Sequence, residues 1–525
     1  MNRIITAFFT CMLYLGIQSN NAQVSSKQID AIVQKAMDEF TVAGVAVAVV
    51  KDGKIVHQKG YGVKSIETGE KVDEHTNFGI ASNSKAFTTT ALAILVEEEK
   101  LRWTDKVIDH IPEFTMYNDY VRQNFNIQDL LTHRSGLGLG IGDLMFFPDG
   151  ADFSIDDIVT SFQHFKPESA FRTKFDYDNL LYLVAGEVVK RVSGMPWEQF
   201  IKERIFDPLG MDNSYASLTY INDKSNVASP HLNEGKELSV TEPEQWDPKK
   251  INGAAGSIQS NVNDISNWML VHLNHGKYGN NLEKQLFKEG SQKEMWKIHT
   301  TLNTNPNPRY NSHFAGYGLG WQLTDVKGNM MVSHTGGLIG MLSKTTLIPD
   351  LNLGIIVLTN TWMDGAGVFQ SVSQSIVDRY LELDDFDWVG HYSERMRQRG
   401  GSAAKVVAEI WETVNAADDS NIDKNGYIGT YEDVWFGKIE IYEEGDQLMF
   451  RSFRSPKLKG PMYYYKANTF VVKWSDTSLV DADAFVMFGL DEEGKGQSIK
   501  MKGISPAIDF SYDFHDLDFN RVSDK

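Results

Sequence analysis

Ser82-Asn83-Ser84-Lys85 opens a stretch that is otherwise apolar, continuing through Ala91, Leu92, Ile94, Leu95 and Val96. That spacing predicts a helix with one buried face, so Ser82 and Lys85 stand one turn apart on the same side. A hydroxyl needs a base within hydrogen-bond reach before it attacks a carbonyl, and one helical turn supplies that proximity. Walled in by apolar neighbours, the Lys85 ammonium is disfavoured and the free amine becomes that base. Ser84 has no lysine at the same offset. By itself S-x-x-K also describes many ordinary helix starts.

Two further clusters carry the same kind of chemistry. Tyr177-Asp178-Asn179 precedes an apolar helical stretch. Tyr177 is suited to relaying a proton, and the Asn179 amide to holding both a lysine and a substrate carbonyl. The plain alternative is a turn, where Asp and Asn are common. Ser333-His334-Thr335-Gly336-Gly337 ends a predicted strand, where glycines let a substrate backbone lie close. The amides of Gly337 and Ser82 are candidates for an oxyanion hole. Hairpin glycines would spell the same letters.

The elements that must position these residues read as an α/β (α+β) chain. Ser26 to Phe40 repeats Ile29, Ile32, Val33, Ala36, Met37 and Phe40 at helical spacing. Two β-rich runs flank Lys51-Asp52-Gly53-Lys54, an antiparallel hairpin signal. A second strand-rich block starts near Met330, with turns expected at Thr335-Gly336-Gly337 and Pro349-Asp350 and a helix from about Val368 to Leu383. Helical and loop sequence lies between the two blocks. The economical arrangement is one antiparallel sheet made from both ends, flanked by helices, with a mostly helical lobe inserted. The boundaries expected are a leader over 1–22, a main domain over 23–385, a linker over 386–424 that includes a helix-like piece to Val414, and a small all-β, barrel-like domain over 425–525.

The chain has 525 residues, 42% hydrophobic, and a formal net charge of −19 with no basic patch, so nucleic acid is not an expected partner. Residues 1–22 run from a charged Met1-Asn2-Arg3 through an apolar Ile4–Ile17 to Ser-Asn-Asn-Ala, the order of an export signal cleaved after Ala22. A periplasmic or secreted protein without a stable membrane anchor is expected. The only cysteine, Cys11, lies in that leader, which excludes disulfides and thiol chemistry from the mature chain. His272 and His275 lack a third metal ligand. Asp419, Asn421 and Asp423 alternate like a calcium loop, but Lys424 replaces its glycine and Thr430 its closing glutamate. No metal or cofactor is expected.

Taken together and in this order, S-x-x-K, Y-x-N and H-T-G-G resemble the serine-reactive family of β-lactamases and penicillin-binding proteins, nearest its class C-like branch of D-aminopeptidases, D-peptidases and esterases. "LLTHRSGL" from Leu130, "DPLGM" from Asp207, "AAGSIQSNVNDISNW" from Ala254 and "GYGLGW" from Gly316 resemble it too, from about Ser26 to Leu383. The resemblance implies Ser82 as acylated nucleophile, Lys85 and Tyr177 as acid/base partners, and Asn179, His334, Thr335, Gly336 and Gly337 as substrate-binding residues. His334 stands where β-lactamases usually place lysine, which weakens the grip on a substrate carboxylate. The C-terminal region resembles the lipocalin-like domain some relatives append, implying a narrowed cleft mouth or a role in assembly. The implied activity is hydrolysis of an amide or ester in a small-molecule or peptide substrate, by a peptidase, esterase or β-lactamase. The alternative is a non-catalytic receptor on the same scaffold, whose hallmark would be loss of the serine, lysine or tyrosine.

Overall fold

The computed structural model describes residues 24–304, 307–418, 420 and 422–522; the leader, with Cys11, lies outside them, as do Asp419 and Asn421 of the calcium-like pattern. Helix α1 (Ser26–Glu39) begins at a capping box in which Ser25 and Gln28 satisfy each other's backbone amides. Strands β1 (Gly44–Lys51) and β2 (Lys54–Gly62) form the expected hairpin. Its turn places both Asp52 and Gly53 at positive φ, as a two-residue hairpin turn requires.

Six more strands complete the sheet: β3 (Thr300–Thr301), β4 (Ala315–Tyr317), β5 (Gln322–Val326), β6 (Asn329–Leu338), β7 (Met341–Ile348) and β8 (Leu353–Thr359). Their order is β2-β1-β8-β7-β6-β5-β4-β3, and every neighbour is antiparallel. N- and C-terminal strands of the sheet therefore pair with each other, β1 with β8, second and third from one edge, and the sheet is built from both ends as the sequence pattern predicts. Strand β1 is apolar on both faces because both are covered. Val45, Val47 and Val49 join Ile29, Val33 and Val372 on one side, while Ala46, Ala48 and Val50 join the core of the inserted lobe on the other.

The lobe side carries helices α2 (Ser84–Glu97), α3 (Leu180–Ser193) and α4 (Val262–Leu273); the other side carries α1 and α5 (Asp364–Tyr380). Residues 386–424, read as a linker, contain a 29-residue helix, α6 (Trp388–Ala416), that packs on α5 and α1 before reaching the C-terminal domain, where Trp411 meets Tyr463 edge-on. One turn was misplaced by the sequence reading. Thr335-Gly336-Gly337 is not a turn but lies inside β6, paired with Lys344, Ser343 and Leu342 of β7, and the chain reverses at Ile339-Gly340 instead. Glycine serves at 336 because another backbone lies against it: a Cβ there would sit 2.2 Å from the Ile80 carbonyl oxygen.

Residues 429–521 form a closed eight-stranded antiparallel barrel. Its interior is filled, with Tyr427, Phe470 and Phe488 in mutual edge-on contact. The barrel docks on the inserted lobe through Phe165 against Trp435, Phe147 against Tyr512, and the ion pairs Arg454–Asp157 at 2.8 Å and Lys457–Asp149 at 2.6 Å. Buried residues of lobe and barrel belong to one continuous hydrophobic cluster. Among the described residues, no helix is long and apolar enough to cross a membrane.

Candidate active site

The turn that carries Ser82 is a single 3-10 turn, Ala81–Asn83, leading into α2. Ala81 is held at φ 49°, a backbone state that costs an L-residue and persists only when neighbours enforce it. They do so here. Ser343 Oγ donates to the Ile80 carbonyl at 2.7 Å and accepts from Asn83 Nδ2 at 2.7 Å, while the Ile258 amide donates to Ser84 Oγ at 3.2 Å. The nucleophile candidate is thus pinned to β7 on one side and to the stretch after Ala254 on the other.

Lys85, in the first turn of α2, is fully buried. Its Nζ donates to Ser82 Oγ at 3.0 Å, to Asn179 Oδ1 at 2.6 Å and to the Ala255 carbonyl at 2.9 Å. All three partners are neutral. Burial overcomes the pull of the Asp143 and Asp178 carboxyls and brings the Lys85 ammonium down to about 7. A substantial fraction of free amine beside a serine hydroxyl follows at neutral pH.

Tyr177 closes the other side. Its ring lies 4.8 Å from the Lys85 nitrogen and stacks on His133 with centroids 4.1 Å apart. Burial holds the phenol well above its usual value, against the opposing pull of the Ser82 hydroxyl, and its oxygen finds no hydrogen-bond partner of good geometry. An unsatisfied buried hydroxyl next to a nucleophile is poised to take up or pass a proton. The Asp178 amide donates to His133 Nδ1 at 3.0 Å, so the neutral His133 ring carries its proton on Nε2.

His334 proves to be a structural imidazole. Its Nδ1 donates to the Thr335 carbonyl at 2.6 Å, which leaves Nε2 to accept from the Tyr317 hydroxyl at 2.9 Å. Burial pushes it down to about 3, so it is uncharged at ordinary pH and has no donor left for a substrate. Thr335 and Gly337 border the cleft, whereas Gly336 faces the Ile80 backbone as a spacer. Ser82, Tyr177, Asn179, His334, Thr335 and Gly337 all line one cavity of about 270 Å³. Its walls include Phe146, Leu183, Trp246, Ile339, Trp362 and Phe510; no lysine or arginine faces it, and Asp509 is its one carboxylate.

Several members of this constellation escaped the sequence reading. Ala255 lies in a stretch noted only for its family likeness. Asp143, which accepts from Asn179 Nδ2 at 2.8 Å, lies in a loop with no recognisable pattern. Phe510 and Ser511 come from the barrel and gave no signal. His272, by contrast, is a core histidine enclosed by Trp268, Phe287, Trp296 and Trp321, and among the described residues no His, Cys, Asp or Glu cluster could hold a metal.

The profile of the Beta-lactamase family matches residues 29–369. The chain belongs to that family. Residues 418–521 match a second family, described as a domain of unknown function (DUF3471). The chain is 26% identical over 438 residues to an unguisins hydrolase of Aspergillus campestris, covering 80% of this chain and 78% of the relative. In fold it is similar to the octameric penicillin-binding protein homologue of Pyrococcus abyssi, with a TM-score of 0.58, 18% identity, and coverage of 94% and 99% of the two chains. It is similar also to EstCE1, a hydrolase with promiscuous acyltransferase activity, at a TM-score of 0.56 and 20% identity over 67% and 97%.

Proposed function

We propose that this member of the Beta-lactamase family is a serine hydrolase that cleaves an amide or ester through an acyl-enzyme on Ser82. The observation that carries the reading is the Lys85 nitrogen, fully buried, brought down to about 7, and 3.0 Å from Ser82 Oγ. Neutral Lys85 takes the Ser82 proton as Oγ attacks the substrate carbonyl. The amides of Ser82 and Gly337 donate to the oxyanion. Lys85 and Tyr177 return the proton to the leaving amine or alcohol, and water then releases the acyl group by the reverse path. The unguisins hydrolase relative supports hydrolysis as the class of reaction.

The cleft favours an uncharged, apolar acyl group. It offers aromatic walls, no cation, and a histidine whose one proton is already used, so a substrate carboxylate would be desolvated without a charged partner. Peptidase or esterase activity on substrates without a free carboxylate at this position is favoured over action on penicillins. The charged, apolar, small-residue order of residues 1–22 supports export.

The test is a rapid-mixing burst with p-nitrophenyl esters, followed by intact-protein mass spectrometry to locate the acyl group. A burst and a Ser82 adduct, both absent in Ser82→Ala, are expected. Equal turnover by Ser82→Ala would reject the reading.

A further inference from the structure

The barrel does more than cover the cleft. Its segment Asp509–Asp513 grips the loop Gly140–Met145 at several points. Asp513 accepts from the Gly142 amide at 2.6 Å and the Leu144 amide at 3.2 Å, so both backbone donors flanking Asp143 end on a barrel carboxyl. At Gly140 a Cβ would lie 2.6 Å from the Phe510 carbonyl oxygen, and the Gly140 amide donates to the Tyr177 carbonyl at 2.8 Å. Phe510 meets the Tyr177 ring edge-on.

Between those clamps runs a continuous chain of hydrogen bonds. Ser511 Oγ donates to Asp143 Oδ2 at 2.8 Å; Asn179 Nδ2 donates to the same oxygen at 2.8 Å; Lys85 Nζ donates to Asn179 Oδ1 at 2.6 Å. An amide has one donor end and one acceptor end. With its donor end committed to Asp143, Asn179 must turn its carbonyl toward Lys85; flipped, it would set an NH2 against the amine and an oxygen against the carboxyl. Asp143 Oδ1 is buried without a partner, so the two donors on Oδ2 are the only side-chain hydrogen bonds that fix the rotation of that carboxyl. Remove Ser511, and the carboxyl is held only by the amide it is meant to hold.

We propose that Ser511, in the C-terminal barrel, is a positioning residue for Lys85, acting through Asp143 and Asn179, so that the active centre of this chain is assembled from both domains. The proposal rests on the serine hydrolase reading above. The charged and titratable groups around the relay are Asp509 facing Ser511, whose amide donates to it at 2.9 Å, Asp178, Asp513 and Lys85 facing Asp143, and Asp143, Asp178, His133, His334, Tyr177 and Tyr182 facing Lys85. Burial holds the Asp143 carboxyl well above the usual carboxylate range; the Asn179 and Ser511 hydrogen bonds oppose that rise by favouring the carboxylate, and that carboxylate in turn favours the Lys85 ammonium. Losing Ser511 therefore leaves Asp143 protonated more of the time and lets Lys85 shed its proton at lower pH.

The experiment measures the rate of Ser82 labelling by a fluorophosphonate, and ester kcat/KM, across pH 5 to 9 on the full chain. Ser511→Ala is expected to lower both rates about tenfold, the loss typical of one charge-assisted hydrogen bond, and to move the acid limb downward by about half a pH unit. Ser511→Thr restores rate and limb. Asp143→Asn, which keeps an acceptor and the size, moves the limb the same way and stands in if Ser511→Ala fails to fold. An unmoved acid limb in the folded variants, or a rate loss that threonine does not restore, overturns the proposal. A wild type that Ser82 reagents never label overturns the hydrolase reading, and this proposal with it; normal wild-type labelling with an unaffected Ser511→Ala overturns this proposal alone.

Discussion

The amine of Lys85 lies closer to Asn179 Oδ1, at 2.6 Å, than to Ser82 Oγ, at 3.0 Å. The proposed base is therefore held by the asparagine while the serine hydroxyl is the looser partner. Removing the carbonyl in Asn179→Ala is expected to lower kcat/KM about hundredfold, the scale of losing one preorganised electrostatic partner. Steady-state kinetics on a folded variant measure it, and a loss below threefold would assign Asn179 a merely packing role.

Catalysis should switch on as pH rises through about 7, where Lys85 loses its proton. Stability should follow the same group. The unfolded chain keeps the lysine charged up to its ordinary value near 10.5 while the folded chain sheds that proton near 7, so the folded state gains stability as pH climbs between them. From pH 7.5 to 9.5 this contributes about 2.5 kcal/mol at 1.36 kcal/mol per unit. Urea unfolding of wild type and Lys85→Met at both pH values should show the gain shrinking by that amount in the variant.

Gly336→Ala forces a methyl against the Ile80 carbonyl, which precedes the strained residue Ala81. The expected cost is about 3 kcal/mol, at the upper end of overpacking losses, together with a fall in acylation rate as the Ser82 turn shifts. Urea denaturation and burst kinetics on the same preparation report both. Unchanged stability would mean that β6 and the serine turn separate freely.

His334 should never act as a pH-tuned anchor. For a matched pair of esters, one bearing a carboxylate and one neutral, the ratio of kcat/KM values should stay flat from pH 5.5 to 8, because Lys85 affects both alike and His334 is neutral throughout. A preference for the carboxylate that grows below pH 6.5 would show instead that the imidazole takes a proton.

The sequence made the central chemistry legible because local geometry controls it: one helical turn brings Lys85 to Ser82, and a glycine-bearing strand brings Gly337 alongside. Runs of β-branched residues bounded by turn signals likewise revealed a sheet built from both ends, although β1 and β8 are apolar on both faces and carry no alternation. The Thr335-Gly336-Gly337 turn was misread because glycine signals both a bend and a close approach, and only the position of Ile80 decides between them. His334 looked like a weaker lysine until Tyr317 and Thr335 were seen to occupy both ring nitrogens. Asp143 and Ser511 left no trace, because their meaning lies in a contact between a loop of one domain and the tip of another.

Phe510 roofs a cleft whose proposed nucleophile is synthesised long before it. Ser82 leaves the ribosome early, whereas the tip that covers it emerges just ahead of Phe519–Arg521, the strand that closes the barrel. A nascent chain that ends between α6 and Asp509 would carry its serine and lysine but an open cleft and an unclamped Asp143. On the proposed reading, synthesis through Asp513 thus becomes a precondition for a finished site.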